Sequence, residues 1–496
     1  MILKDILNNK IDILERRGSI NIDIKGLVYD SREVNKDYLF ISIEGFKTDG
    51  HKYIEKAVNN GASAIVIEKD LDKYIDGITY LKVKDSRKAM SYLAEVYYNY
   101  PLKKISLIGV TGTNGKTTTT YLVKNILEEA DFKIGLVGTI KNLVGDEELP
   151  ATRTTPESLD LYYLFDRMVQ AGVDYCVMEV SSHALDLMRV EGMEFEVAVF
   201  TNISQDHLDY HKSIESYLLA KSKLFKKLKE NGTGVINLDD SHSGQILKSC
   251  KGNHLTYAIN ENADIKASNI KLSPDGSSFT IGNKKVDINL TGKFNIYNSL
   301  AAIGTCRALG LSDETIYEGL NDLKGVAGRL EQVDKGQNFS LIVDYAHTPD
   351  GMENVLITAK EIVKGNIIIV FGCGGDRDRG KRPIMAKISA RYGDYSILTS
   401  DNPRSEDPID ILKELERGII RMDKKVKYEV ISDRRKAIQR AISLARKDDM
   451  IIIFGKGHEN YQIFENKTIH FDDREEAALA IQKSMRGEEL YGASDN

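Results

Sequence analysis

Ile105-Ser-Leu-Ile-Gly-Val110 runs directly into Thr111-Gly112-Thr-Asn-Gly115-Lys116-Thr117, and this passage decides the fold class. Residues 105–110 are an apolar run of strand length, residues 117–130 read as a helix, and glycines occupy the turn between them. Glycines there let backbone N–H groups approach phosphate oxygens, and the helix N-terminus favours negative charge. Gly112, Thr113, Asn114, Gly115, Lys116, Thr117 and Thr118 are therefore the expected phosphate cradle, with Lys116 reaching the terminal phosphates and Thr117 holding magnesium. The strict phosphate-loop pattern is not met, because Val110 stands where its first glycine would be and Gly109 and Gly112 flank it.

Working outward, 496 residues exceed what one core usually organises, so several domains are expected. Residues 1–101 read as a small α/β domain with strands at 39–43, 62–67 and 79–83, closing at Tyr100-Pro101. Residues 102–330 carry the phosphate turn and further strands at 175–180, 197–200 and 234–237. Residues 331–496 alternate strand and helix regularly, with strands at 341–344, 367–371, 395–399, 428–431 and 450–454, which predicts a doubly wound, mainly parallel, Rossmann-like sheet. Ligands of such sheets sit beyond the carboxyl ends of the strands. Those ends carry Asp344-Tyr-Ala-His347, Gly374-Gly-Asp-Arg377, Asp401-Asn402-Pro403-Arg404 and Gly455-Lys-Gly-His-Glu459. The expectation is an α/β protein of three domains: a small N-terminal one, a central P-loop-type ATPase and a C-terminal Rossmann-like one.

Composition narrows the partners. A net charge of −6 offers no broad electrostatic footprint for a polyanion, so nucleic acid is not expected. The first residues interleave charges with apolar side chains, unlike a signal peptide, and the apolar runs are too short to span a bilayer, so a cytoplasmic protein with no membrane partner is expected. Cys176, Cys250, Cys306 and Cys373 show neither metal-site nor disulfide spacing and read as reduced; Cys373 in its Gly-rich turn has no visible partner that would make it a nucleophile.

A phosphate cradle names no reaction by itself. Glu179 ends an apolar strand and is placed to hold magnesium, with Ser181, Ser182 and His183 following it. Thr201-Asn202 precedes Asp206-His207-Leu-Asp209-Tyr-His211, where His207 is a candidate ligand and His211 reads as surface. Taken alone, Lys221 would be one charge on a solvated helix face.

In order and spacing, Gly112–Thr117, Glu179-Val-Ser-Ser-His183, Thr201-Asn202 with Asp206-His207-Leu-Asp209, Ala220-Lys221, Asn295 with Asn298, Gly328-Arg329 and Asp344-Tyr-Ala-His347 together resemble the Mur ligases. The resemblance implies ATP-dependent activation of a carboxylate as an acyl phosphate, which an amine then attacks to form an amide. It implies catalytic roles for Lys116, Glu179, His207, Lys221 and Arg329. Thr117, Glu179, His207 and a carbamylated Lys221 would serve magnesium, and Asn295, Asn298, Arg329, Asp344 and His347 the nucleotide. Phe294 and Tyr297 either pack on adenine or fill the core. Asp30-Ser31-Arg32 and Phe46-Lys47-Thr48-Asp49-Gly50 resemble the uridine-diphosphate segment of the branch that adds the third amino acid. The substrate UDP-N-acetylmuramoyl-alanyl-glutamate would then meet Ser31, Thr154, Thr155, Ser181 and Arg189. Arg153 and Leu187 depart from amide side chains found in some relatives, Ala327 replaces a common proline, and Asn460 an acid.

In that branch an arginine at the position of Arg404 goes with meso-diaminopimelate. The guanidinium suits the second carboxylate of that amino acid and would repel the ammonium of lysine. Arg377, Asp401, Asn402, Pro403, Gly455 and Glu459 complete the implied site, on a protein expected to be monomeric. A folylpolyglutamate synthase, another Mur ligase or a nucleotide switch are the alternatives.

Overall fold

The computed structural model describes residues 1–45, 48–273, 276–422 and 426–491, and builds three α/β units, each on its own main sheet. Phe46 and Lys47, part of the expected uridine-diphosphate segment, lie outside the described residues.

The first sheet has five strands; Gly26–Val28, Tyr38–Ile41, Ala62–Ile67 and Thr79–Val83 are parallel, and Ile13–Arg17 joins the edge antiparallel. The central sheet has eleven strands. Its middle is parallel: Asn253–Ala258, Leu228–Asn237, Phe195–Phe200, Ser106–Thr111, Tyr175–Glu179 and Ile134–Val137 lie side by side in that order. Antiparallel strands extend both edges. Strand Ser106–Thr111 is central, so the turn that follows it and the carboxyl ends of its neighbours, Glu179 and Phe200-Thr201, open on the same edge.

The third sheet orders Glu331–Gln332, Ser340–Asp344, Met450–Phe454, Ile367–Phe371, Tyr395–Leu398 and Tyr428–Val430, parallel except at Glu331–Gln332. Every residue of Ile367–Phe371 and Met450–Phe454 is buried, as expected of parallel strands covered by helices on both faces. The alternation read from the sequence is present there. It does not extend to the hairpin Tyr461–Phe464 with Lys467–His470, nor to the last helix, Asp473–Met485.

The units are joined unequally. One apolar cluster runs from Leu81, Leu93 and Val96 of the first unit into Phe165, Met178 and Phe195 of the second, whereas the two clusters flanking the third sheet are almost wholly its own. Polar contacts also cross the first boundary: Tyr29 Oη donates to Asp160 at 2.8 Å and Arg87 to Glu157 at 2.8 Å. No described helix is long and apolar enough to cross a membrane.

Within the third sheet's face, Arg434 is fully buried and makes two 2.7 Å hydrogen bonds to Asp473, itself 0 % exposed, and one of 2.8 Å to the carbonyl of Phe454. This pair ties the final helix to the strand that leads into Gly455-Lys-Gly. Arg434→Ala strands a buried carboxylate, so a loss of about 3–5 kcal/mol is expected in urea unfolding of the third unit; Arg434→Ala with Asp473→Ala should lose less.

Candidate active site

Gly115 begins the phosphate turn's helix, Lys116–Glu129, at φ +84°, and an added Cβ would lie 2.4 Å from Asn298 Oδ1. Only glycine meets both demands. The helix N-terminus is thereby set against the carboxyl edge of the central sheet. Lys116 Nζ folds back on the turn, donating to the carbonyls of Gly112 (3.0 Å) and Thr113 (2.8 Å). Lys221 Nζ donates to the same Gly112 carbonyl at 2.7 Å. Lys221 is 1 % exposed, so the solvated helix face that its local sequence suggests is not what the fold makes of it. Burial pulls the Lys221 amine well below the usual lysine range, the charge of Lys116 adds to this, and Asp206 opposes it. Burial also lowers Lys116, against the pull of Glu179 and Asp206.

Glu179, at the end of its strand, accepts hydrogen bonds from Thr117 Oγ1 (3.0 Å), the Thr139 N–H (2.8 Å) and Thr139 Oγ1 (3.0 Å). Arg329, from the chain entering the third unit, donates to the same Thr117 hydroxyl at 3.0 Å. A carboxylate and a hydroxyl oxygen side by side at the mouth of a phosphate turn fit magnesium, which takes one or two protein oxygens and completes its shell with phosphate and water. Among the described residues no group of three or more His, Cys, Asp or Glu side chains could hold a metal by itself.

His207 adopts a left-handed backbone, φ +55°, with Nε2 3.3 Å from Asp206 Oδ2 and its ring centre 4.8 Å from that of His183. Burial drives its pKa down to about 3 against the pull of Asp206, so the imidazole is neutral at physiological pH and keeps a lone pair for a ligand. His211 is buried, not a surface residue, and pairs with Ser182 Oγ at 2.9 Å; the amphipathic register of so short a helix does not show this.

A cavity of about 390 Å³ opens from the turn between the second and third units. Asn114, Gly115, Thr117, Thr118, Asn298, Arg329 and Asp344 line it, as do Phe294 and Tyr297. Tyr297 donates to Asp239 at 2.6 Å on this wall. Asn295 and His347 are not among the lining residues: Asn295 accepts a bond from Asn298 at 3.0 Å and orients it, and the His347 ring lies against Tyr345. Asp344 accepts from the N–H groups of Leu330 (2.8 Å) and Ala346 (2.7 Å), fixing the chain that carries Arg329.

Of the expected sugar-peptide residues, Thr154 lies 3.0 Å from Thr139, and Thr155 Oγ1 donates to the Glu179 carbonyl at 2.9 Å and accepts from the Ser181 N–H at 3.0 Å. Arg189 donates to the Thr155 carbonyl at 2.9 Å, and with Arg87 and Arg153 it surrounds the buried Glu157. Ser31 is buried in the first unit, its carbonyl accepting from Asn60 at 2.9 Å.

In the third unit Arg404 is held at φ +54° and donates to the Gly375 carbonyl at 2.8 Å, backbone strain of the kind that collects at ligand sites. Pro403 packs its carbonyl where a side chain on Gly375 would be, Asn402 donates to Glu459 at 2.9 Å, and Gly455 lies beside Asp401. Arg377 is exposed at the rim. Burial raises the thiol of Cys373 to about 11, which disposes of it as a nucleophile.

Sequence reasoning passed over Thr139, Lys381 and Lys456. Lys381 Nζ, buried, reaches across to within 3.9 Å of Asp206 from the third unit. No local pattern marks it beyond its nearness to Gly374–Arg377.

A phosphate turn, a carboxylate beside its threonine and an arginine delivered from a second α/β unit define a nucleotide-using enzyme with its reacting centre between two units. The chain belongs to the Mur ligase family. It matches the models of the Mur ligase family catalytic domain over residues 23–98, the Mur ligase middle domain over 110–306 and the Mur ligase glutamate ligase domain over 328–457. It is 50% identical to the UDP-N-acetylmuramoyl-L-alanyl-D-glutamate–2,6-diaminopimelate ligase of Clostridium tetani, across 99% of this chain and all of that one. A solved structure of a ligase of the same name aligns with TM-score 0.65 and 32% identity, over 98% of this chain and 99% of that one. The MurF ligase of Thermotoga maritima in complex with ADP shares the fold, with TM-score 0.63 and 19% identity, over 93% of this chain and 98% of that one.

Gly115→Ala is expected to weaken nucleotide binding at least about tenfold, a cost of about 1.4 kcal/mol, measured by calorimetric titration with ATP, because both the backbone and Asn298 must give way.

Proposed function

We propose that the protein is the ATP-dependent ligase that joins meso-diaminopimelate to UDP-N-acetylmuramoyl-L-alanyl-D-glutamate for peptidoglycan, working as a cytoplasmic monomer. The observation that carries the reading is Arg404, held at φ +54° within electrostatic reach of Glu459, a cation and an anion suited to the two charges at the far end of a diamino acid. The diaminopimelate ligase of C. tetani, matched over its whole length, supports it.

The free carboxylate of the dipeptide attacks the γ-phosphorus of ATP and ADP leaves, giving an acyl phosphate. The amine of the incoming residue then adds to that carbonyl, loses a proton, and phosphate departs as the amide forms. Lys116 and Arg329 neutralise charge on the transferring phosphoryl group. Thr117 and Glu179 would hold magnesium, and His207 would serve a second ion; bound there, the metal would supply further charge neutralisation. Thr155, Ser181 and Arg189 position the dipeptide end. Closure of the third unit over the cavity keeps water from the acyl phosphate.

Lys221 fits carbamylation: its buried amine is disposed to be neutral and therefore nucleophilic towards carbon dioxide. The product is an anion beside Lys116, which reverses the local charge problem. Label from carbon-13 bicarbonate is expected on Lys221 and absent from Lys221→Arg.

The test is an amine screen with precursor and ATP, read by product mass. Diaminopimelate turnover well above that of lysine and ornithine is expected, and equal turnover with lysine would sink the assignment. Phosphate release without precursor and diamino acid would indicate a nucleotide switch instead. Arg404→Ala should raise the KM for diaminopimelate at least about tenfold, as loss of a charged hydrogen bond costs about 1.5–3 kcal/mol, and leave the KM for ATP unchanged.

A further inference from the structure

Lys456 is a fully buried lysine that no step above uses. It follows the strand Met450–Phe454 between Gly455, at φ +112°, and Gly457, at φ +53°. Unlike Lys116, it faces no phosphate turn. Its Nζ lies 3.2 Å from Asn402 Oδ1, 3.2 Å from Glu459 Oε2 and 3.8 Å from Asp401 Oδ1. Three residues assigned above to the diamino acid thus converge on one ammonium.

We infer that Lys456 is a positioning residue for the incoming amino acid, which orients Asn402 and holds Glu459 ionised to receive the substrate's distal ammonium. The inference rests on the function proposed above. Asn402 Oδ1 accepts from Lys456 and from the Ile463 N–H at 3.0 Å, and this fixes the amide so that Nδ2 donates to Glu459 Oε2 at 2.9 Å. The bonds from Lys456 and Asn402 to Glu459 both fall on Oε2, and Tyr461 also reaches this carboxyl, so a substrate ammonium would share Glu459 with them. Asp401 Oδ1, buried, has no hydrogen-bond donor among the described residues.

Lys456 and Arg404 stand against the two carboxylates Asp401 and Glu459, since Arg434 is committed to Asp473. A diamino acid's far end brings an ammonium and a carboxylate together, so the set stays balanced with the ammonium on Glu459 and the carboxylate on Arg404. Without Lys456, the negative charge of Asp401 acts on Glu459 with less compensation, and a protonated Glu459 attracts an ammonium less strongly.

The groups around Glu459 set the sign of the pH effect. Burial and Asp401 raise its pKa, while Lys456 and Asn402 hold it down. Arg404, Arg434, Tyr345 and Tyr461 also face it. Removing Lys456 raises the carboxyl further, so binding should fail as pH drops through that raised value and recover as pH rises.

The experiment compares the full-length wild type with Lys456→Met, Lys456→Gln and Lys456→Arg, measuring KM for diaminopimelate and for ATP from neutral to alkaline pH. Lys456→Met and Lys456→Gln are expected to raise the diaminopimelate KM at least about tenfold at neutral pH, with recovery towards alkaline pH and an unchanged ATP KM. Lys456→Arg, which keeps the charge, should restore much of the affinity. A wild-type KM in the uncharged variants, a loss shared equally by both substrates with no pH dependence, or the absence of a cooperative melt in both would overturn the role. A wild type that turns over no diamino acid would overturn the proposed function and this inference with it, whereas unaffected variants of an active wild type would remove the role of Lys456 alone.

Discussion

Two lysine amines, Lys116 and Lys221, end on one backbone oxygen, the carbonyl of Gly112. Among the described residues neither has a carboxylate within hydrogen-bonding distance there, and both are pulled below their usual pKa by enclosure. The turn therefore holds two amines whose charging is opposed by burial and by each other's nearness, with Glu179 and Asp206 favouring the charged forms from longer range. A triphosphate is the kind of ligand such a region accepts. The glycine at 115, the threonine pair on Glu179 and the arginine that crosses from the third unit are arranged about this one constraint.

The contrast between the two unit boundaries follows from what each buries. The first and second units share an apolar cluster, and separating them would expose it. The second and third meet through hydrogen bonds such as Asn114 to Asp350 at 2.7 Å, Arg329 to Thr117 at 3.0 Å and the long Lys381–Asp206 pair. Water can replace bonds of that kind at modest cost, so relative motion belongs to the second boundary. The cavity lies at that boundary.

The parts legible in the sequence were those where chain neighbours do the work. The strand–turn–helix at Ser106–Glu129 and the alternating third unit could be read because their central strands are mostly apolar and their turns carry glycine, proline or a capping side chain. The antiparallel edges of the central sheet were missed: Glu147–Pro150 is largely exposed and Lys284–Ile288 alternates charged with apolar residues, so neither reads as an apolar run. Lys221, Lys381 and Lys456 were invisible as physics for a different reason. A lysine's local sequence looks the same whether its end meets water or a carboxylate, and here the partners come from as far as 175 residues away, as with Lys381 and Asp206. His211 failed likewise, because its burial depends on Ser182 and Tyr217 on other elements.

Gly328, at φ +68°, would place a side chain 2.2 Å from the backbone nitrogen of His458, and Gly457 would place one 2.8 Å from the carbonyl of Gly328. The segment carrying Arg329 and the loop carrying Lys456 and Glu459 thus meet at backbone distance, with the Tyr345 Cβ also against Gly457. Bulk at either glycine would force the two segments apart and displace the arginine and the loop together.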